Sequence, residues 1–170
     1  MSLDADRGFA PILGANPRVL ILGSMPGQVS LDTGQYYAHP RNAFWPIMAE
    51  LFGFDPGLSY AERERRLTDK GVAVWDVLAS CVRPGSLDSA IDRQTIEVNE
   101  FSALFRHQTE FTHLFFNGAT AETLYERHVY KKGTGLHLTR SRLPSTSPAH
   151  ASLSFESKLT QWRAILDALN

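Results

Sequence analysis

The chain has 170 residues, 43% of them hydrophobic, a formal net charge of −1 and a single cysteine, Cys81. That length supports one well-buried core, so one domain over residues 1–170 is expected. The lone cysteine excludes an intramolecular disulfide and any cysteine-rich metal or iron–sulfur site, and the near-neutral charge excludes a generally basic coat for nucleic acid.

The segment Met1–Arg7 is polar and acidic rather than basic and then apolar. No later apolar run approaches the ~18 residues that span a bilayer. A soluble, cytoplasmic, monomeric protein with no membrane partner is expected.

In chain order, Arg18–Leu22 is a β-branched and apolar run that stops at Gly23, the pattern of a buried parallel strand. Helical stretches over Ala43–Phe52 and Tyr60–Asp69 follow, the second with an exposed charged face at Ala61–Arg66. Val72–Trp75 reads as a second strand, Val98–His107 as a helix and Leu114–Phe116 as a third strand. A helix over Ala119–His128 precedes a weaker fourth strand within Leu136–Leu143, and an amphipathic helix over Phe155–Leu169 closes the chain. Strands alternating with helices predict an α/β fold with a four-stranded parallel sheet covered on both faces. Ligands of such sheets bind beyond the carboxyl ends of the strands. The polar clusters Gly23–Asn42, Asp76–Ser89, Asn117-Gly118 and Pro144–His150 all fall there.

Four segments carry candidate chemistry. In Gly23-Ser24-Met25-Pro26-Gly27 and Tyr36 to Trp45, glycines let backbone approach a ligand and adjacent aromatics offer faces on which a base can stack. The same residues also suit an ordinary strand-to-loop turn with aromatics in the core. Asp76 can accept a hydrogen bond from the N–H of a base, or cap the turn that follows its strand. Asn117-Gly118 makes a tight turn or presents an amide at a strand end. Leu143–His150 is either a surface loop or a phosphate grip, in which hydroxyls and loop N–H groups meet phosphate oxygens and Pro148 and Ala149 wedge between bases. Arg41, Arg140, Arg142, Lys131 and Lys132 are candidates for a local positive patch. His107, His113 and His128 lack the spacing or carboxylate company of a metal site, so no metal is expected.

The run Gly23–Trp45 resembles the first motif of the uracil-DNA glycosylase superfamily, and its wording is most like the hypoxanthine-DNA (deoxyinosine) glycosylase branch. It also aligns without a gap to the motif of the mismatch-specific uracil and thymine glycosylases. Leu143–His150 resembles the superfamily's second motif, a loop that enters the minor groove. The likeness extends over roughly Arg18–His150. It implies a three-layer α/β/α sandwich and a cofactor-free enzyme that flips a deaminated base out of DNA and hydrolyses its N-glycosidic bond.

By this resemblance Tyr37 stacks on the flipped base, and Asp76 reads its edge where members often carry asparagine. Gly23, Ser24, Met25, Pro26 and Asn117 complete the base pocket. Met25 stands where the mismatch-specific relatives hold the attacking water with asparagine, which argues against strong uracil release. Asn42, in the shared His-Pro-x-Asn element, and His150 become the catalytic candidates. Ser145, Ser147, Pro148, Ala149 and Arg41 are the expected DNA contacts. No lysine lies in these motifs, so no Schiff-base lyase step is expected. A uracil or mismatch-specific glycosylase and a non-catalytic damaged-DNA binder remain alternatives on the sequence alone.

Overall fold

The computed structural model describes residues 4–170, so the start of the polar Met1–Arg7 segment lies outside it. The strands are β1 (Asp6–Arg7), β2 (Val19–Gly23), β3 (Val72–Asp76), β4 (Leu78–Cys81), β5 (Glu97–Val98), β6 (His113–Asn117) and β7 (Thr139–Leu143). The helices are α1 (Gln28–Thr33), α2 (Phe44–Phe52), α3 (Tyr60–Thr68), α4 (Phe101–His107), α5 (Ala119–His128), α6 (Phe155–Trp162) and α7 (Ala164–Leu169).

The main sheet runs β3-β2-β6-β7, and all its pairings are parallel. Successive side chains of a strand point to opposite faces. Every residue of β2 and β3 is buried, so both faces of the sheet are covered. The fold is therefore the three-layer α/β/α sandwich. Register places Gly23 beside Asp76 at one side of β2, and Asn117 beside Leu143 between β6 and β7. Four strand ends thus open on one edge of the sheet.

The helix starts follow local chemistry. Ser59 caps α3 by accepting from the backbone N of Glu62, whose carboxylate in turn accepts from Arg65 one turn on. Asn42 Oδ1 accepts from the backbone N of Phe44 at 2.9 Å in a turn that leads into α2. Pro46 is tolerated because the first turn leaves its N–H unused in any case.

The structure differs from the sequence expectations at four places. The fourth strand begins at Thr139, because Gly133 and Gly135 at positive φ turn the chain there and Leu136 is left exposed. Val98 pairs with Leu78 in β5, so the helix expected from Val98 starts at Phe101. The C-terminal helix is divided at Arg163 into α6 and α7. A second, antiparallel sheet, β1-β4-β5, and the short α1 had no counterpart in the sequence reading.

Candidate active site

A cavity of about 430 Å³ lies beyond the four strand ends, inside the ~300–1,000 Å³ range of small-ligand pockets. Of the residues expected from the sequence, it gathers Gly23, Ser24, Met25, Pro26, Tyr37, Asn42, Asp76, Asn117, Ser145, Ser147, Pro148, Ala149 and His150. Arg41 is outside the lining and exposed, its backbone N donating to Nδ1 of His39.

Asp76 sits where β3 ends and is 3% exposed. Its Oδ2 is buried without a hydrogen-bond partner. Burial, and secondarily the charge of Asp88, push its carboxyl up to about 7 against the opposing pull of Arg83. A carboxyl in that range offers an O–H donor beside its acceptor oxygen, where an ionised one only accepts.

Tyr37 closes the same corner. It is the one non-glycine residue at positive φ among the described residues, with φ of 55°. Its ring stacks on Phe44 at 4.1 Å between centroids, and Phe44 itself is fully buried beside Trp45 and Trp162. The aromatic plate is thus backed by the core before any ligand arrives. The Tyr37 hydroxyl is buried without a hydrogen bond of normal geometry, and burial, then the neighbouring Asp76, raise its pKa against a weaker opposing pull from the Asn117 amide nearby. A Cβ at position 23 would overlap Oδ1 of Asp76 and come within 3.0 Å of this hydroxyl, which explains glycine there. Two orphaned polar groups therefore converge on one point at the cavity floor.

The two asparagines are held differently. Asn42 spends Oδ1 on the α2 start, so its Nδ2 is the group left for the cavity. Asn117 spends both: Nδ2 donates to Thr146 Oγ1 and Oδ1 accepts from Thr146 N, each at 2.9 Å. That clamp fixes the loop after β7 against the end of β6. Ser145 and Ser147 hydroxyls accept from the N–H groups of Ser147 and Ala149. Lys158 donates to the His150 carbonyl at 2.7 Å, which leaves the exposed His150 ring at the rim. Trp162 donates to the Pro144 carbonyl and secures the same loop from α6.

The sequence reading overlooked Arg83. Its side chain is fully buried, donates to the carbonyls of Met25, Pro26 and Gly85, and lies 3.6 Å from Asp6. It staples the glycine-proline turn to the loop after β4. From that loop Asp88 accepts from Ser24 Oγ at 2.6 Å, and Ser86 Oγ accepts from Gln28 N at 2.8 Å. The Pro84-Gly85 dipeptide was the available signal of a turn, but nothing in it shows which carbonyls the arginine reaches.

The positive patch is smaller than expected. Arg140 pairs with Glu126 and lies over the Tyr130 ring, and Arg142 lies 3.7 Å from Glu122. Lys131 and Lys132 precede β7 and so lie toward the end of the sheet away from the cavity.

A parallel α/β/α sheet with an open-mouthed cavity of mixed polar and apolar lining beyond its strand ends defines a ligand-binding α/β protein, and comparison with known proteins specifies it. The profile of the uracil DNA glycosylase superfamily matches residues 11–170. A hypoxanthine DNA glycosylase of Methanosarcina acetivorans is 32% identical over 160 residues, which is 94% of this chain and 96% of that one. Another, of Methanosarcina barkeri, is 36% identical over 113 residues, 66% of this chain and 70% of its own. The solution NMR structure of a candidate uracil DNA glycosylase from Methanosarcina acetivorans superposes with a TM-score of 0.81 at 31% identity, covering 98% of this chain and 99% of that one. The chain belongs to the uracil DNA glycosylase superfamily.

It is a DNA glycosylase, an enzyme that hydrolyses the N-glycosidic bond of a base in DNA. The alternative of a non-catalytic binder is thereby set aside. No helix among the described residues is long and apolar enough to cross a membrane.

Proposed function

We propose that the enzyme excises hypoxanthine from DNA as a monofunctional glycosylase and leaves an abasic site. The observation that carries this reading is the donor-free, buried carboxyl of Asp76 at the cavity floor. The six-membered ring of hypoxanthine presents N1–H beside the O6 carbonyl. A neutral carboxyl matches both, accepting from N1–H and donating to O6. Tyr37, backed by Phe44, stacks on the flipped base.

Chemistry follows from charge. As the bond from the base nitrogen to C1′ breaks, its electron pair leaves with the base and the sugar becomes positive. The Asp76 hydrogen bond strengthens as negative charge reaches O6. Water adds its oxygen to C1′ and releases one proton, and the base takes up one proton to leave neutral. Asn42 Nδ2 holds that water, and His150 at the rim contacts the departing base or the flanking phosphate. Ser145, Ser147, Pro148 and Ala149, with Arg41 outside the cavity, grip the strand. No lysine lines the cavity, which supports simple hydrolysis over a lyase step. Met25, in place of a water-holding amide, and the two relatives named for hypoxanthine support this base over uracil.

Single-turnover cleavage of duplexes carrying one deoxyinosine, deoxyuridine or deoxyxanthosine tests the choice. Fastest release is expected from deoxyinosine. Faster release from deoxyuridine would overturn it.

A further inference from the structure

We propose that Leu87 is an apolar wedge that enters the DNA base stack where the target nucleotide is extruded. The inference rests on the base-flipping reading above. Leu87 is 58% exposed, the most exposed of the large hydrophobic side chains together with Leu136 among the described residues, and it lines the mouth of the cavity. Leu136 is far from that mouth, in the turn before β7. A single exposed leucine is ordinary on a protein surface. This one is held in place on both sides.

Ser86, immediately before it, accepts from the backbone N of Gln28 at 2.8 Å, and Asp88, immediately after, accepts from Ser24 Oγ at 2.6 Å. The Leu87 carbonyl accepts from Ala90 N at 3.0 Å and closes a turn. Arg83, buried at the base of the loop, ties it to Met25 and Pro26. These bonds hold the backbone of Leu87 at the mouth of the cavity. Val29 of α1, 36% exposed, lies on the same rim next to the Gln28 anchor. An apolar ridge therefore borders the opening through which a base must pass.

Its place in the fold separates it from the other wedge candidate. Leu87 follows β3 and β4, on one edge of the sheet, whereas Pro148 and Ala149 follow β7, on the opposite edge. A base entering the cavity passes between the two loops. Apolar side chains inserted between base steps replace stacking that the extruded base gives up. Leu87 is the larger of the two loops' apolar tips and suits the gap left by a purine.

The test compares wild type, Leu87→Ala and Leu87→Met in single-turnover excision on three substrates. These are a fully paired duplex, the same lesion in a single strand, and a duplex with a flat polycyclic residue opposite the lesion that fills the vacated space itself. Leu87→Ala is expected to be slower on the paired duplex by about tenfold or more, since unstacking costs a few kcal/mol. It should match wild type on the single strand and regain most of its rate on the prefilled duplex, and Leu87→Met should stay close to wild type throughout. Equal rates for Leu87→Ala and wild type on the paired duplex would overturn the proposal, as would an equal loss on all three substrates. Wild-type inactivity on every substrate would instead refute the glycosylase reading on which it rests, and the two failures are told apart by that control.

Discussion

Gly23 and Asp76 stand side by side at the ends of β2 and β3, and the space in which a side chain on Gly23 would begin is filled by the Asp76 carboxyl. The glycine is there for a close approach rather than for a turn, since its φ is not among the positive values. Any Cβ at this position must push the carboxyl or the Tyr37 hydroxyl toward the ligand.

Gly23→Ala should therefore fold, because the clash falls on side chains at the cavity rather than on the core ladder. Its excision rate should drop by about 100-fold, the usual cost of a displacement near 1 Å at a reacting site. Single-turnover rates alongside a thermal melt separate the two effects. A normal rate would mean that Asp76 has room to move and that its position does not matter.

Protonation of Asp76 supplies the second prediction. Its carboxyl is raised from an ordinary 3.8 to about 7, chiefly by burial. A raised folded-state pKa contributes stability that is fully present below 3.8 and is lost as pH climbs toward 7. Above 7 the folded state carries the full cost of the buried charge, roughly 4 kcal/mol for a shift of that size. Asp76→Asn removes the charge and keeps a donor beside an acceptor. The variant should gain stability over wild type between pH 4 and 7 and hold a constant advantage above it. Excision by wild type should fall as pH rises through about 7, while the variant stays flat. Denaturant melts and rates at pH 5, 7 and 9 check both. A wild-type rate that rises through that range would show that the ionised carboxylate is the working form.

How much of this was legible in the sequence depends on how local the cause is. Gly23 to Trp45 was readable because glycine, proline and paired aromatics are chemically unusual there, and β2 and β3 because continuous apolar runs mark strands buried on both faces. β7 was weak because it is an edge strand of Thr, Arg and Ser with only Leu143 buried. Two-residue strands such as β1 and β5 are too short to show a period. Arg83 and Asp88 were invisible as site residues for a different reason. Their partners, Met25, Pro26 and Ser24, lie more than fifty positions away along the chain, and only the folded loops bring them together. Asn117 shows the converse: its strand-end position was anticipated, but not that Thr146 would take both ends of its amide.

Arg83 should be a large stability determinant. Arg83→Met leaves the Met25 and Pro26 carbonyls without their donor and Asp6 without its cation in a buried setting. Leaving a buried carbonyl without its donor costs about 1–3 kcal/mol, so the loss should be about 2–4 kcal/mol in all. Arg83→Lys should recover only part of this, because an ammonium cannot present the guanidinium's planar fork to three carbonyls at once. Chemical denaturation of the two variants measures it, and equal stability of Arg83→Lys and wild type would show that charge alone suffices.

The last prediction separates two jobs of one residue. Asn42 Oδ1 accepts from Phe44 N in a turn that leads into α2, and Nδ2 is the group left for the cavity that Asn42 lines. Asn42→Ala loses both, so it should destabilise the fold by about 1 kcal/mol and also slow excision. Asn42→Asp keeps the accepting oxygen and adds a charge that a helix N-terminus favours, but replaces the Nδ2 donor with an acceptor. Its stability should equal or exceed that of wild type. Its excision should nonetheless be slower by about 100-fold or more, the scale on which losing one well-placed donor slows an enzyme. Substrate affinity, measured on a non-cleavable duplex, should change far less than the rate in either variant. A fast Asn42→Asp enzyme would assign Asn42 to the helix start alone and send the search for the water's partner to the other polar groups of the cavity, with Asp88 first among them.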